Sequence, residues 1–174
     1  MTIVRKLLDW LERPINVLLW IGVIAGFLMM VHVSADVAGR TIFNHPLPGT
    51  TEIVSGWYMI AVAYLPWAFV ARENAHISVD LFTRGASPRF LFVLEAVIKV
   101  VTAAWVLLFA YETFIRAIQQ TKADEVWEAA GFLIIVWPSR WLLPIAGLSM
   151  GLYLLLRVAC DLADAAPRQA KASE

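Results

Sequence analysis

Ionisable side chains set inside apolar runs are the residues of this sequence best placed to do chemistry. Glu95 and Lys99 stand four apart in one such run, the order and spacing that put an ion pair on one helix face. Arg140 stands in another, within Trp137-Pro138-Ser139-Arg140-Trp141 and shortly before Pro144. A charge at mid-bilayer costs about 2.5–3.5 kcal/mol on insertion scales, so each such group is a candidate for function. A structural ion pair near one membrane face competes with charge transfer for Glu95 and Lys99. For Trp137, Arg140 and Trp141, an interfacial anchor competes with contact to an anionic lipid or a protein partner. The two nearby prolines predict a kink or local unwinding at this point.

Other chemistries lack their parts. The sequence has no Gly-rich phosphate loop with its Lys, no nucleophile elbow and no His/Cys cluster at metal-ligand spacing. His32, His45 and His76 fall at unmatched depths and supply no bis-histidine haem site. Cys160 is the sole cysteine, which excludes an intrachain disulfide and reads as a buried, inert thiol. The expectation is therefore no enzymatic activity and no cofactor. Fourteen Lys+Arg balance fourteen Asp+Glu, so no bulk charge favours nucleic acid as a partner.

These groups must be positioned by membrane helices. Hydrophobic residues make up 60% of the 174 and charged residues 16%, against about 45–50% and about 25% in soluble domains; the mean hydropathy is +0.70. No small-residue cleavage site follows a short apolar region near the start, so a removable signal peptide is not expected. Crossing a bilayer takes about 20 apolar residues, and four stretches qualify, at about residues 14–35, 53–71, 90–115 and 131–158. Short polar connections predict an all-α membrane protein with four transmembrane helices in an up-down arrangement. Residues 1–164 form a single domain, and residues 165–174 are expected to be a flexible cytoplasmic tail. Residues 1–13 carry Leu7, Leu8 and Leu11 on one arc and Lys6, Asp9 and Glu12 on the other. They predict a short amphipathic helix lying in the interface, with Pro14 marking the bend into the first span. Gly22 and Gly26 have the spacing that lets two helices approach closely.

Basic residues set the orientation. Arg5, Lys6 and Arg13, then Arg72, Arg84 and Arg89, then Arg157, Arg168 and Lys171 fall on one side, against Arg40, Arg116, Lys122 and Arg140 on the other. The positive-inside rule makes both termini cytoplasmic.

The first connection reads Asp36-Val37-Ala38-Gly39-Arg40-Thr41-Ile42-Phe43-Asn44-His45-Pro46-Leu47-Pro48-Gly49-Thr50-Thr51-Glu52. Asp36 and Arg40 can pair on one helix face, the prolines stiffen the turn, Thr50 or Thr51 can cap the next helix, and Glu52 suits its first turn. In Asp36, Val37, Arg40, Phe43, Asn44, Pro46 and Glu52 this stretch resembles the signature of the small membrane subunit, the Q or DctQ type, of tripartite ATP-independent periplasmic (TRAP) transporters. The segment Asn74-Ala75-His76-Ile77-Ser78-Val79-Asp80 is similar to a second family motif through His76 and Asp80, with Asn74 and Ala75 in place of the usual small or acidic residues.

The resemblance implies a stand-alone scaffold subunit, unlike the fused Q–M form, in a multi-pass complex of the bacterial inner membrane. It implies a large M subunit as 1:1 partner and a periplasmic binding protein as transient partner, with membrane lipids around. Sodium and the organic acid anion, a carboxylate or sulfonate, would bind M, leaving this chain without cofactors. Arg40, Asn44 and Glu52 either only set the turn or shape a surface for the binding protein. Two other classes are weighed: a membrane anchor of a redox complex, and a small multidrug-type exporter, whose helix-one acid is missing before Asp36.

Overall fold

The computed structural model describes residues 2–73, 87–129 and 131–171. Among the described residues, four helical runs are long and apolar enough to cross a membrane: Lys6–Ile42, Thr50–Arg72, Phe90–Lys122 and Trp137–Ala163. The chain is an all-α membrane protein, with one small hairpin as the exception among the described residues.

The first helix is continuous from Thr2 to Ile42 and contains Pro14. The separate interfacial helix expected over residues 1–13 is thus part of the first long helix. The reason lies in packing on both sides of the proline. Ile15 is buried in a core cluster with Ala68, Ala71, Ala103, Met150, Tyr153 and Leu154, and Leu8 and Leu11 pack against the same cluster. Contacts before and after Pro14 keep the chain helical across it, outweighing the single backbone hydrogen bond that proline removes. Further along, a Cβ on Gly22 would lie 3.3 Å from Pro66 Cγ, and one on Gly26 would lie 3.4 Å from Val62 Cγ2. The glycine pair therefore seats the first helix on the second span.

The second span is built of pieces: Thr50–Ile53, a π-helical turn at Val54–Tyr58, Met59–Tyr64, and Trp67–Arg72 after a break at Leu65 and Pro66. The third helix, Pro88–Lys122, starts where Ser87 accepts a hydrogen bond from the Phe90 N–H at 3.3 Å with Pro88 in the first turn. It outlasts the expected residue 115 by two turns, because hydropathy marks where hydrocarbon ends and not where helix ends. Its end is set by Asp124, at φ 46°, and by the Glu125 N–H donating to Gln120 O at 3.1 Å. That left-handed residue and backward bond make a helix-terminating turn.

The fourth span corrects the sequence reading most. Residues 131–158 were expected as one helix, yet Phe132–Ile135 is a strand, β2, paired antiparallel with β1, Val126–Ala129. Val126 faces Ile135 and Ala129 faces Phe132, and Gly131, just before β2, adopts φ 87°. The chain then winds into a 3-10 turn, Trp137–Trp141, and the last helix, Leu142–Lys171. A kink or local unwinding is expected around Pro138; the chain there is instead wound more tightly, as the 3-10 turn. The last helix continues to Lys171, beyond the point where the tail was expected to begin. Cys160 is half-buried, less enclosed than expected.

Candidate functional site: the hairpin end of the bundle

The first connection is a folded turn in which Asp36, Arg40 and Asn44 of the motif each have a task. Asp36 is only 5% exposed. Its Oδ2 accepts from Arg40 Nε and Nη2, both at 2.9 Å, and its Oδ1 accepts from the Leu47 N–H at 2.8 Å. One carboxylate thereby ties the helix end to the far side of the loop. Gly39 lets the chain fold back, since a Cβ there would sit 2.8 Å from His45 O, and the His45 N–H donates to Gly39 O at 3.0 Å. Asn44 holds φ 53°, a left-handed conformation that asparagine tolerates better than most residues. Arg40, Asn44 and Pro46 are exposed, Glu52 is half-buried in the first turn of the second span, and Phe43 is 75% exposed. The expected cap is not formed. Gly49 occupies the cap position at φ 80°, and the Thr50 hydroxyl donates to Leu47 O at 3.1 Å, inside the turn.

The hairpin packs beside this turn. Gly49 is pressed against it: a Cβ there would lie 2.8 Å from Ile134 Cδ1. The π-helical turn carries Trp57, whose indole donates to Ile135 O at 3.0 Å. Arg140 grips the foot of the hairpin, with Nε and Nη2 donating to Glu125 Oε2 and Oε1 at 3.0 and 2.7 Å. Trp127 donates to the same carboxylate at 3.2 Å and lies under the guanidinium, 5.7 Å from ring centroid to Cζ. Hydrogen bonds from Arg140 hold the Glu125 carboxyl below its ordinary value, against the upward pull of partial burial. Trp141 donates to Thr121 Oγ1 at 3.0 Å and meets Phe114 edge-on. Trp137 is half-buried at the start of the 3-10 turn.

Glu125, the partner that holds Arg140, is the side chain of this site that the sequence reading missed. It lies in a connection and fifteen positions from its partner, so no helical spacing flags it. Asp161 was missed because its nearer partner, Lys99, stands on another helix. Lys99 lies 3.4 Å from Glu95 but 2.9 Å from Asp161 on the last helix, which Arg157 also approaches at 3.6 Å. The expected Glu95–Lys99 pair exists, yet the stronger tie crosses between helices. His76 and Asp80 lie outside the described residues. Among the described residues no three His, Cys, Asp or Glu side chains cluster as metal ligands.

Residues 29–164 match the family described as Tripartite ATP-independent periplasmic transporters, DctQ component. The chain belongs to that family. This DctQ-family protein is thus a small membrane subunit of a TRAP transporter, a multi-pass inner-membrane protein that associates with other TRAP subunits. A search of the curated proteins finds no match to it. The matched region takes in the whole hairpin end and excludes the opening turns of the first helix.

Proposed function

We propose that this DctQ-family subunit is the fixed scaffold of its transporter. It holds the large M subunit in a 1:1 complex, and M carries the sodium and substrate sites for uptake of an organic acid anion. No cofactor belongs to this chain in that division. The observation that carries the reading is the stitching of the hairpin end: Trp141–Thr121 joins the fourth span to the third, Trp57–Ile135 and Arg140–Glu125 fasten the second and fourth spans to the hairpin and its foot, and Asp36–Leu47 clamps the connection that follows the first span. Spans that slid past one another in a transport cycle would break these bonds on every turnover. A scaffold also needs wide apolar flanks, and Trp20, Phe27 and Met30 on the first helix and Val97, Val101 and Trp105 on the third are all more than half exposed.

In this reading the hairpin end is periplasmic and both termini are cytoplasmic, as the basic residues direct. Arg40, Asn44 and Glu52, beside exposed Phe43, form a surface touched transiently by the binding protein. His76 and Asp80 mark the opposite, cytoplasmic connection. Proteoliposomes with a sodium gradient test the division of labour. Uptake is expected only with M, this subunit and the binding protein together; sodium-driven uptake by this subunit alone sinks the proposal. A fluorescent-protein fusion at the C-terminus should glow, and an alkaline-phosphatase fusion there should be inactive; the opposite pattern overturns the orientation.

A further inference from the structure

A groove of about 390 Å³ lies between the third helix and the fourth span, lined by Thr113, Arg116, Gln120, Arg140 and Leu143. Two arginines converge on it, but they are not equivalent. Arg140 is committed to Glu125 through two charged hydrogen bonds. Arg116 is exposed, and among the described residues its guanidinium meets only a neutral amide, Gln119 Oε1 at 3.4 Å. Glu112 stands four residues before it and outside ion-pair distance. With Arg140 paired to Glu125, Arg116 is the one charged group without an ion-pair partner among the residues that line the groove.

We infer that this groove is a binding site for a glycerophospholipid, with the headgroup phosphate held by Arg116 and supported by Gln120 and Arg140. One uncompensated cation matches the single negative charge of a phosphodiester, and a guanidinium fork suits its oxygens. Depth fits as well. From Gln120 to Thr113 the third helix descends about 10 Å, from the end of the span toward Leu143, which leaves the acyl chains on apolar surface. Phe114 and Trp141, edge to face at 5.5 Å, flank the same level, where aromatic rings favour the headgroup boundary. The sequence offered Arg140, with Trp137 and Trp141, as either an interfacial anchor or a contact to an anionic lipid or a protein partner; the geometry gives the phosphate chiefly to Arg116, with Arg140 in the wall beside it. The inference does not depend on the scaffold reading, since it concerns this chain's own surface in any transporter assembly.

Native mass spectrometry of the transporter complex, purified in mild detergent, tests it. The wild-type complex should retain a phospholipid that Arg116→Gln holds about tenfold more weakly, the scale of a lost charge-assisted contact, while Arg116→Lys keeps an intermediate amount. Lys122→Gln, an exposed cation at the same end, should retain it fully. Delipidated protein should be stabilised against heat by vesicles containing phosphatidylglycerol and not by inorganic phosphate. Three results overturn the inference: Lys122→Gln losing as much lipid as Arg116→Gln; inorganic phosphate protecting as well as the vesicles, which would mean a small-anion site; or Arg116→Gln shedding a protein subunit with its lipid unchanged, which would mean a protein contact.

Discussion

Removing Arg140 should loosen the hairpin end as a unit, and the size of the effect follows from the geometry. Its guanidinium makes two hydrogen bonds to Glu125, at 3.0 and 2.7 Å, with the two side chains 29% and 15% exposed. Fully exposed ion pairs contribute about 0.2–1 kcal/mol. Breaking a fully buried pair costs about 3–5 kcal/mol, mostly because one charge is left unpaired. Partial exposure sets Arg140→Met between these, at about 2 kcal/mol. For a chain of this size that corresponds to a fall in Tm of about 4–8 °C. Intrinsic fluorescence during heating in detergent is a suitable readout, because Trp127 touches both partners. Glu125→Gln should cost somewhat less, since the amide still accepts from Trp127. The decisive number is the coupling in the double variant, expected at about 1–2 kcal/mol. A coupling below about 0.5 kcal/mol, the scatter of independent sites, would refute the claim that this pair anchors the hairpin.

Three further expectations follow from the same contacts. Glu125 has a folded-state value held below the ordinary 4.5, so its stabilisation is complete above that pH and is lost as pH falls below it; wild type should lose more Tm between neutral pH and about pH 3 than Glu125→Gln does, and equal losses would exclude the pair as the acid-sensitive element. Asp36→Ala leaves the Leu47 N–H without its acceptor and should cost about 1–3 kcal/mol, while Gly39→Ala must displace His45 backbone and should cost about as much; both should raise proteolysis in residues 43–49, and an unchanged cleavage pattern would count against the clamped turn. Lys99→Met strips Asp161 of its nearest cation and should lower Tm more than Glu95→Gln, whose carboxylate is 69% exposed, with transport by the assembled complex unchanged; abolished transport at normal complex yield would mean that the pair does more than hold helices.

The sequence displays best what is local. Four spans follow from apolar runs, the Asp36–Arg40 pair from a spacing of four, and the Gly22–Gly26 approach from a repeat of small residues. Phe132 to Val136 misleads because a short apolar run has no periodicity of its own. Its β-branched Ile134, Ile135 and Val136, with Gly131 at the turn, were the available signal for a strand. Pro14 misleads in the other direction, since the contacts that carry the helix through it come from the second, third and last spans, all distant in sequence. Glu125 and Asp161 were invisible because the charges inside spans drew the reading, while their partners were fixed by tertiary folding. The candidate site was thus half legible: its first loop could be read residue by residue, and its second wall could not.

The hairpin has a consequence for how deep the protein sits. Val126, Phe132, Leu133 and Ile135 are 44–71% exposed, which draws the ribbon toward apolar surroundings. A two-stranded ribbon also has two outer edges whose backbone groups find no strand beside them, and such edges are excluded from hydrocarbon. Attraction and exclusion balance only at the headgroup boundary. Because Glu125–Arg140 and Trp57 fasten the ribbon to the spans, its level becomes the level of the whole bundle. The first helix, 41 residues long and so about 60 Å, is roughly twice the hydrocarbon thickness and gives no sharp stop of its own. The ribbon acts as a float that fixes the waterline.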